Sequence, residues 1–120
     1  MTDQSLFEKY GGFGQVSRIV LAFYDRALDS DVIGDFFADI DMPRLVDHQT
    51  KFIASLLGGP ASFTDERLAQ SHARLNVSHV QFDEMARILA GTLADHGFAP
   101  DDVERVVGEI ERRRRLIVSG

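Results

Sequence analysis

The chain has no cysteine and no tryptophan, and its 120 residues include only three prolines. Without cysteine it can form no disulfide framework, thiolate nucleophile, thiolate zinc site or iron–sulfur cluster. No apolar run approaches the ~20 residues of a membrane span, and the first residues are acidic and polar, unlike a signal peptide. We therefore expect a cytoplasmic protein with no membrane partner. Much of any metal chemistry is left to its four histidines, which are His48, His72, His79 and His96.

Basic residues are also scarce, with 13 Lys and Arg against 19 Asp and Glu and a net charge of −6. This acidic balance argues against a nucleic acid as partner, because such proteins present basic surfaces to phosphates. The composition is 44% hydrophobic and 27% charged, which is enough apolar material for one core. Since domains cluster at about 100–150 residues, and the chain contains no repeat or linker, we expect a single domain over residues 1–120.

Alternating runs of β-branched residues are missing, so the sequence predicts an all-α fold. Serine, threonine and aspartate caps mark the predicted helix starts, and glycines mark several of the ends. In the first half of the chain the predicted elements are a helix opened by a Ser5–Glu8 capping box, a helix over Phe13–Leu28, a turn over 31–37 and a helix capped by Asp41 that runs to Leu57. In the second half they are a short helix from Thr64 to near Asn76, a helix opened by the Ser78–Gln81 capping box that runs to about Asp95, and a last helix from Pro100 that includes Ile117.

Three predicted helices each place a polar side chain on an apolar face. At roughly 100° per residue, Tyr24, Gln49 and His72 fall within apolar stripes, and His48 falls on the edge of one. A buried phenol, amide or imidazole that lacks a partner costs about 1–3 kcal/mol. Each residue taken singly is commonly a core side chain bonded to a backbone carbonyl or a loop. Together they indicate either a polar core network or the lining of a pocket.

Several short motifs follow one another along the chain: YGGF at 10–13, FYDR at 23–26, FFADIDM at 36–42, HQTKF at 48–52, LGGP at 57–60 and SHA at 71–73. In order and spacing they resemble the truncated haemoglobins of group I, over nearly the whole chain from Leu6 to about Ile110. The resemblance implies a truncated globin, which is a two-over-two sandwich of helices around haem b. It also implies diatomic gases as ligands, with oxygen first and nitric oxide or carbon monoxide as others.

Carried over residue by residue, the resemblance implies that His72 is the proximal ligand of the haem iron. Tyr24 and Gln49 would be the distal hydrogen-bonding pair, and Phe37 would pack against the haem face. The remaining expected pocket residues are Leu45 at the distal gate, Phe52 in the ligand cavity, and Met85 and Leu89 in the packing around it.

Two roles stay open for His48. Some cyanobacterial and algal members of the family carry a histidine here that coordinates the iron when no external ligand is bound. In that case His48 and His72 would make a bis-histidyl redox or gas-sensing protein. Alternatively, His48 is a surface histidine near a haem propionate or water. Relatives that attach haem covalently use a histidine in the last helix, and no histidine follows His96, so we expect no such crosslink.

Three classes of function remain as hypotheses. The first is a gas-binding haem protein, which could also act as a nitric oxide dioxygenase if an external reductase supplied electrons. The second is the bis-histidyl protein, and the third is a helical interaction module without a cofactor. We expect a monomer or weak dimer. His79, His96 and the run from Arg112 to Arg115 are expected to be solvent-exposed, the run as a helix end whose charge complements the helix dipole.

Overall fold

The computed structural model describes residues 5–59 and 76–118. The short helix predicted from Thr64 and the predicted ligand His72 lie outside these residues. Within them, none of the helices is both long and apolar enough to cross a membrane. The described elements are α1 (Leu6–Lys9), α2 (Gly12–Leu28), a 3₁₀ helix (Gly34–Phe37), α3 (Met42–Leu56), α4 (His79–Asp95), α5 (Pro100–Glu111) and α6 (Arg114–Ile117).

Side-chain caps fix the starts of three helices. At α4, the Ser78 hydroxyl accepts from the backbone N–H of Gln81 at 3.1 Å, and the Gln81 side chain accepts from the Ser78 N–H at 2.9 Å. This is the predicted capping box, which satisfies two N–H groups that lack a partner within the helix. At α1, Ser5 accepts from the N–H of Glu8, which is one of the two bonds of a box. At α3, Asp41 accepts from the N–H of Arg44.

The helices pack in two crossed layers. Helix α2 lies against both α3 and α4, and α4 lies in turn against α5. Their apolar faces meet in a core in which Ile19, Ala27, Ala54 and Leu93 have no exposed surface. The polar faces of the same helices are turned outward, as the amphipathic pattern of the sequence predicts.

Glycines allow α1 to lie against the end of α3. A Cβ atom on Gly59 would meet Phe7 Cδ1 at 2.6 Å and the Ala54 carbonyl oxygen at 3.0 Å. The Phe7 N–H donates to the Leu57 carbonyl at 3.0 Å, so the two segments are in direct backbone contact. Gly11, with φ of 105°, makes the left-handed turn into α2 that side-chain-bearing residues rarely adopt.

The predicted last helix is interrupted, which corrects the expectation of one continuous helix. Helix α5 ends at Glu111, and α6 begins at Arg114. The backbone N–H of Arg113 donates to the Ile110 carbonyl at 2.9 Å, three residues back. The Arg113 guanidinium donates to the Glu109 carbonyl at 2.6 Å, in the place of the backbone N–H that would bond there in a continuous helix. Such bonds tighten and end a helix. The break leaves Ile117 buried at the end of α6.

The arginine run is correspondingly not a uniformly solvated helix end. The Arg112 side chain is 77% exposed, whereas that of Arg114 is only 24% exposed and is paired with two carboxylates. The expectation of an exposed run is therefore wrong for Arg114, and also for Arg113, whose side chain is 26% exposed. Glu111 lies three residues before Arg114, at helical spacing. Asp83 lies on α4, and the periodicity of the last helix carries no information about it.

Candidate functional site

A cavity of about 290 Å³ lies between α2, the 3₁₀ helix, α3 and α4, with Ile110 and Ile117 at one end. Most of its lining is aliphatic or aromatic. Among the described residues that line it, only Tyr24, His48, Gln49 and Gln81 bring a polar group, and none is Asp, Glu, Lys or Arg. The cavity is therefore suited to bind an apolar ligand, with a few hydrogen-bonding groups to orient it.

Tyr24 is the most buried polar group on this lining, with only 5% of its surface exposed. Its ring meets the Phe23 and Phe37 rings edge-on, with centroids 5.0 and 5.4 Å away. Burial alone raises the pKa of Tyr24, so its hydroxyl stays protonated at neutral pH. The hydroxyl forms no hydrogen bond with another described residue, and since no buried polar side-chain atom among these residues lacks a partner, it is accessible from the cavity. It is thus a donor that remains available inside an apolar cavity.

Helix α3 brings two further polar side chains to the same cavity. Gln49 is half-buried, and His48 is exposed to solvent while still lining the cavity. The side chains of successive helical residues point roughly 100° apart around the helix axis. His48 and Gln49 can therefore both line the cavity only if one of them lies at the edge of the cavity. The position of His48 at the rim is what its place on the apolar stripe predicts.

The structure brings together every predicted site residue that it describes. These are Tyr24, Phe37, Leu45, His48, Gln49, Phe52, Met85 and Leu89, and all of them line the cavity. His72 lies outside the described residues. The convergence of three helices on one space favours a pocket over a closed polar core, whereas the role of each residue stays a prediction.

Several lining residues were missed by the sequence reasoning. Gln81 had a sufficient local explanation as the partner of Ser78, although it lies four residues before Met85 and eight before Leu89, a spacing that places all three on one face of α4. Val77 lies outside any helix and carries no periodic signal. Val20 could also have been found, since it precedes Tyr24 by four residues on α2.

The other two described histidines take no part in this cavity. His79 is exposed, and its Nδ1 lies 3.1 Å from Nη1 of Arg114. His96 is only half-exposed, contrary to expectation, because its Nδ1 donates to the Thr92 carbonyl at 2.8 Å. That carbonyl belongs to the last turn of its own helix, where a histidine cap is favourable.

A second, open groove of about 490 Å³ runs between the end of α2 and α4. Three of its charged residues are already paired: Arg26 binds Asp95 at 2.5 Å, and Glu84 accepts from both Ser30 and Arg87. The groove is also open and is lined by further charged side chains, Asp29 and Asp31. It is therefore a weaker candidate for a cofactor site than the apolar cavity.

The comparisons with known proteins agree with this geometry. The sequence profile of the bacterial-like globins matches residues 5–119. The chain is 30% identical to a group 1 truncated hemoglobin of Tetrahymena pyriformis, over 93% of each chain. It is 32% identical to a group 1 truncated hemoglobin of Synechocystis, over 94% of this chain and 97% of the relative.

Solved structures show the same similarity in three dimensions. The Fe(III) form of the Tetrahymena pyriformis protein superposes with a TM-score of 0.89 at 28% identity, covering 98% of this chain and all of the other. The 2/2 hemoglobin of Synechococcus, in the cyanomet state and with covalently attached heme, superposes with a TM-score of 0.83 at 27% identity, covering 95% and 98% of the two chains. The predicted all-α, two-over-two fold is confirmed.

The two tyrosines provide a matched test of the unpaired hydroxyl. We expect Tyr24→Phe to change the free energy of unfolding by less than about 0.5 kcal/mol, since it removes no hydrogen bond among the described residues. Tyr10→Phe should lower it by about 1 kcal/mol, because the Tyr10 hydroxyl donates to Asp102 and accepts from the Ala99 N–H. Urea unfolding of identically prepared proteins measures both. An equal loss in the two variants would contradict the assignment.

Proposed function

The chain belongs to the bacterial-like globin family, and from that premise we propose that it binds haem b in the apolar cavity and binds oxygen there. Membership of this family implies haem binding. The observation that carries the oxygen proposal is the Tyr24 hydroxyl, which is buried, protonated and available for a hydrogen bond. When bound, haem would supply an iron centre that takes up oxygen, nitric oxide or carbon monoxide.

The described residues fit a haem. Its macrocycle is flat and apolar, and the cavity walls are formed largely by aromatic and branched aliphatic side chains such as Phe37, Phe52 and Leu89. The two haem carboxylates lie on one edge of the macrocycle and would be repelled by buried acidic side chains. The described lining of the cavity contains no such side chain. An axial ligand is also needed, and no group of three or more histidines and acids in the described part of the chain could hold a metal by itself.

We propose His72 as that axial ligand. It lies between Leu68 and Leu75 at helical spacing in the sequence, and this spacing predicts an imidazole on an apolar helix face. Among the other three histidines, His79 and His96 are engaged outside the cavity. A neutral imidazole is the usual proximal ligand of globins.

Tyr24 and Gln49 would bind the gas on the opposite side. The phenol O–H and the amide N–H can donate to a ligand that has drawn negative charge, and they have less effect on carbon monoxide, which remains nearly neutral. In an apolar cavity each such bond contributes on the order of 1–3 kcal/mol. The surrounding rings of Phe23 and Phe37 hold the Tyr24 ring in place and exclude water.

A second candidate function rests on His48, whose side chain lines the rim of the cavity. If its imidazole reaches the iron, the protein is bis-histidyl and an external ligand must displace His48. The apparent gas affinity then falls by the fraction of chains in which His48 is released. Such a protein suits electron transfer or sensing better than oxygen binding.

Haem binding is tested by titrating the purified chain with hemin. We expect an intense Soret band that saturates at one haem per chain. His72→Ala should abolish saturable binding or weaken it at least about a hundredfold, because it removes the axial bond. The control is His96→Ala, which should bind like the parent. A chain that shows no saturable binding would rule out both haem proposals.

The distal role of Tyr24 is tested by the rate of oxygen release. We expect Tyr24→Phe to release oxygen about 10–100 times faster than the parent, the kinetic equivalent of one lost hydrogen bond. Carbon monoxide release should change much less, and serves as the internal control. Equal oxygen release from the parent and Tyr24→Phe would remove this residue from the mechanism.

The deoxy ferrous absorption spectrum distinguishes the two candidate functions. A single broad visible band indicates five-coordinate iron, as the oxygen-binding proposal predicts. Sharp, split bands indicate a sixth ligand, and His48→Ala should then restore the broad band. If split bands persist in His48→Ala, another residue is the sixth ligand.

A further inference from the structure

The C-terminal end of the chain forms part of the cavity wall. We refer to residues 114–118 as the C-terminal strap. Ile117 in the strap and Val77 just before α4 are both buried and both line the cavity. Val118 pairs with Val77 in an isolated parallel β-bridge. The strap therefore holds the chain at Val77, a short distance in sequence after His72.

The backbone next to Val77 is also constrained. Asn76 has φ of 51°, a left-handed conformation that asparagine tolerates better than most residues. The chain thus turns at Asn76, pairs with the strap at Val77 and enters α4 through the Ser78 cap. Three consecutive residues are fixed by different means, so this point is a defined end for the segment that contains His72.

Arg114 binds the strap to its neighbours. Its Nε and Nη2 atoms donate to the two carboxylate oxygens of Glu111 at 2.9 and 2.7 Å. Nη2 also donates to Asp83 on α4, and Nη1 lies 3.1 Å from Nδ1 of His79. These hydrogen bonds, to Glu111 first and then to Asp83, raise the pKa of Arg114, which stays charged.

The same guanidinium packs on an aromatic ring of the cavity wall. Its central carbon lies 4.3 Å from the centroid of the Phe82 ring. Phe82 is 1% exposed and lines the cavity. A planar guanidinium can stack on a ring and bind a carboxylate through two N–H groups at once, whereas the ammonium of lysine is a point charge.

We propose that Arg114 is a positioning residue for the haem pocket. It holds Phe82 and the strap in place, and the strap in turn fixes Val77, the exit of the segment that carries His72. This inference rests on the proposed haem binding. Arg114 itself would contact neither the haem nor the gas, so its effect should appear in how firmly the haem and its axial bond are held.

The test measures how fast ferric haem leaves each protein for an excess of apomyoglobin. We expect about tenfold faster loss from Arg114→Gln, with little rescue by Arg114→Lys because it cannot bind Glu111 through two donors. The matched control is Arg112→Gln, which should lose haem at the parental rate, because the Arg112 side chain is 77% exposed and, among the described residues, pairs with Glu109 alone. Asp83→Asn replaces a charged partner of Arg114 by a neutral amide, at a side chain that is 63% exposed and lies outside the core. It should accelerate haem loss severalfold.

A second measurement separates positioning from general stability. The iron–histidine stretching band of the deoxy ferrous protein should shift or broaden in Arg114→Gln and in Asp83→Asn, and remain unchanged in Arg112→Gln. Haem loss within about twofold of the parent, together with an unchanged band, would overturn the inference. Equal acceleration in Arg112→Gln would also overturn it. A parent chain that binds no haem would overturn the proposed function, and this inference with it.

Discussion

The candidate site depends on one hydrogen-bond donor set in an apolar cavity, the Tyr24 hydroxyl. The side chain is almost completely buried, its pKa is raised by that burial, and its hydroxyl bonds to no other described residue. Because no buried polar side-chain atom of the described residues lacks a partner, this hydroxyl is reached from the cavity, where a ligand can complete its hydrogen bond. The apolar walls around it make such a bond stronger than it would be in water. Of the four polar side chains that line the cavity among the described residues, Tyr24 is the most buried.

The fold provides the rigidity that such a donor requires. Tyr24 lies one turn before the C-terminal end of α2, the helix that contacts both α3 and α4. Phe37 reaches its ring from the 3₁₀ helix, and Gln49 lines the same space from α3. The site is thus assembled from three elements that share one core. At Val77, which also lines the cavity, the chain is paired with the strap before it enters α4.

Local signals were sufficient to predict much of this from the sequence. The Ser78 and Asp41 caps and the limits of α2 and α3 follow from neighbouring residues, and helical phase placed Tyr24 and Gln49 on the cavity side. The sequence could not reveal the break between α5 and α6. There the Glu109 carbonyl accepts from the Arg113 guanidinium and not from the Arg113 backbone N–H, and no sequence pattern marks this exchange. The contacts of Arg114 with Asp83 and His79, and the pairing of Val77 with Val118, join residues far apart in the sequence, and no periodicity encodes them. Gln81 differs from these: its spacing to Met85 and Leu89 was informative, but its local role as a cap concealed its place on the cavity wall.

The placement of the Tyr24 hydroxyl next to a gas ligand in a haem-containing cavity is tested most directly by infrared spectroscopy. The C–O stretching frequency of the ferrous carbon monoxide complex is compared between the parent and Tyr24→Phe. A hydrogen-bond donor next to the ligand oxygen lowers this frequency, because it favours electron transfer from the iron to the ligand. We predict a low-frequency band in the parent that moves to higher frequency in Tyr24→Phe. Identical frequencies in the two proteins would contradict this placement of Tyr24.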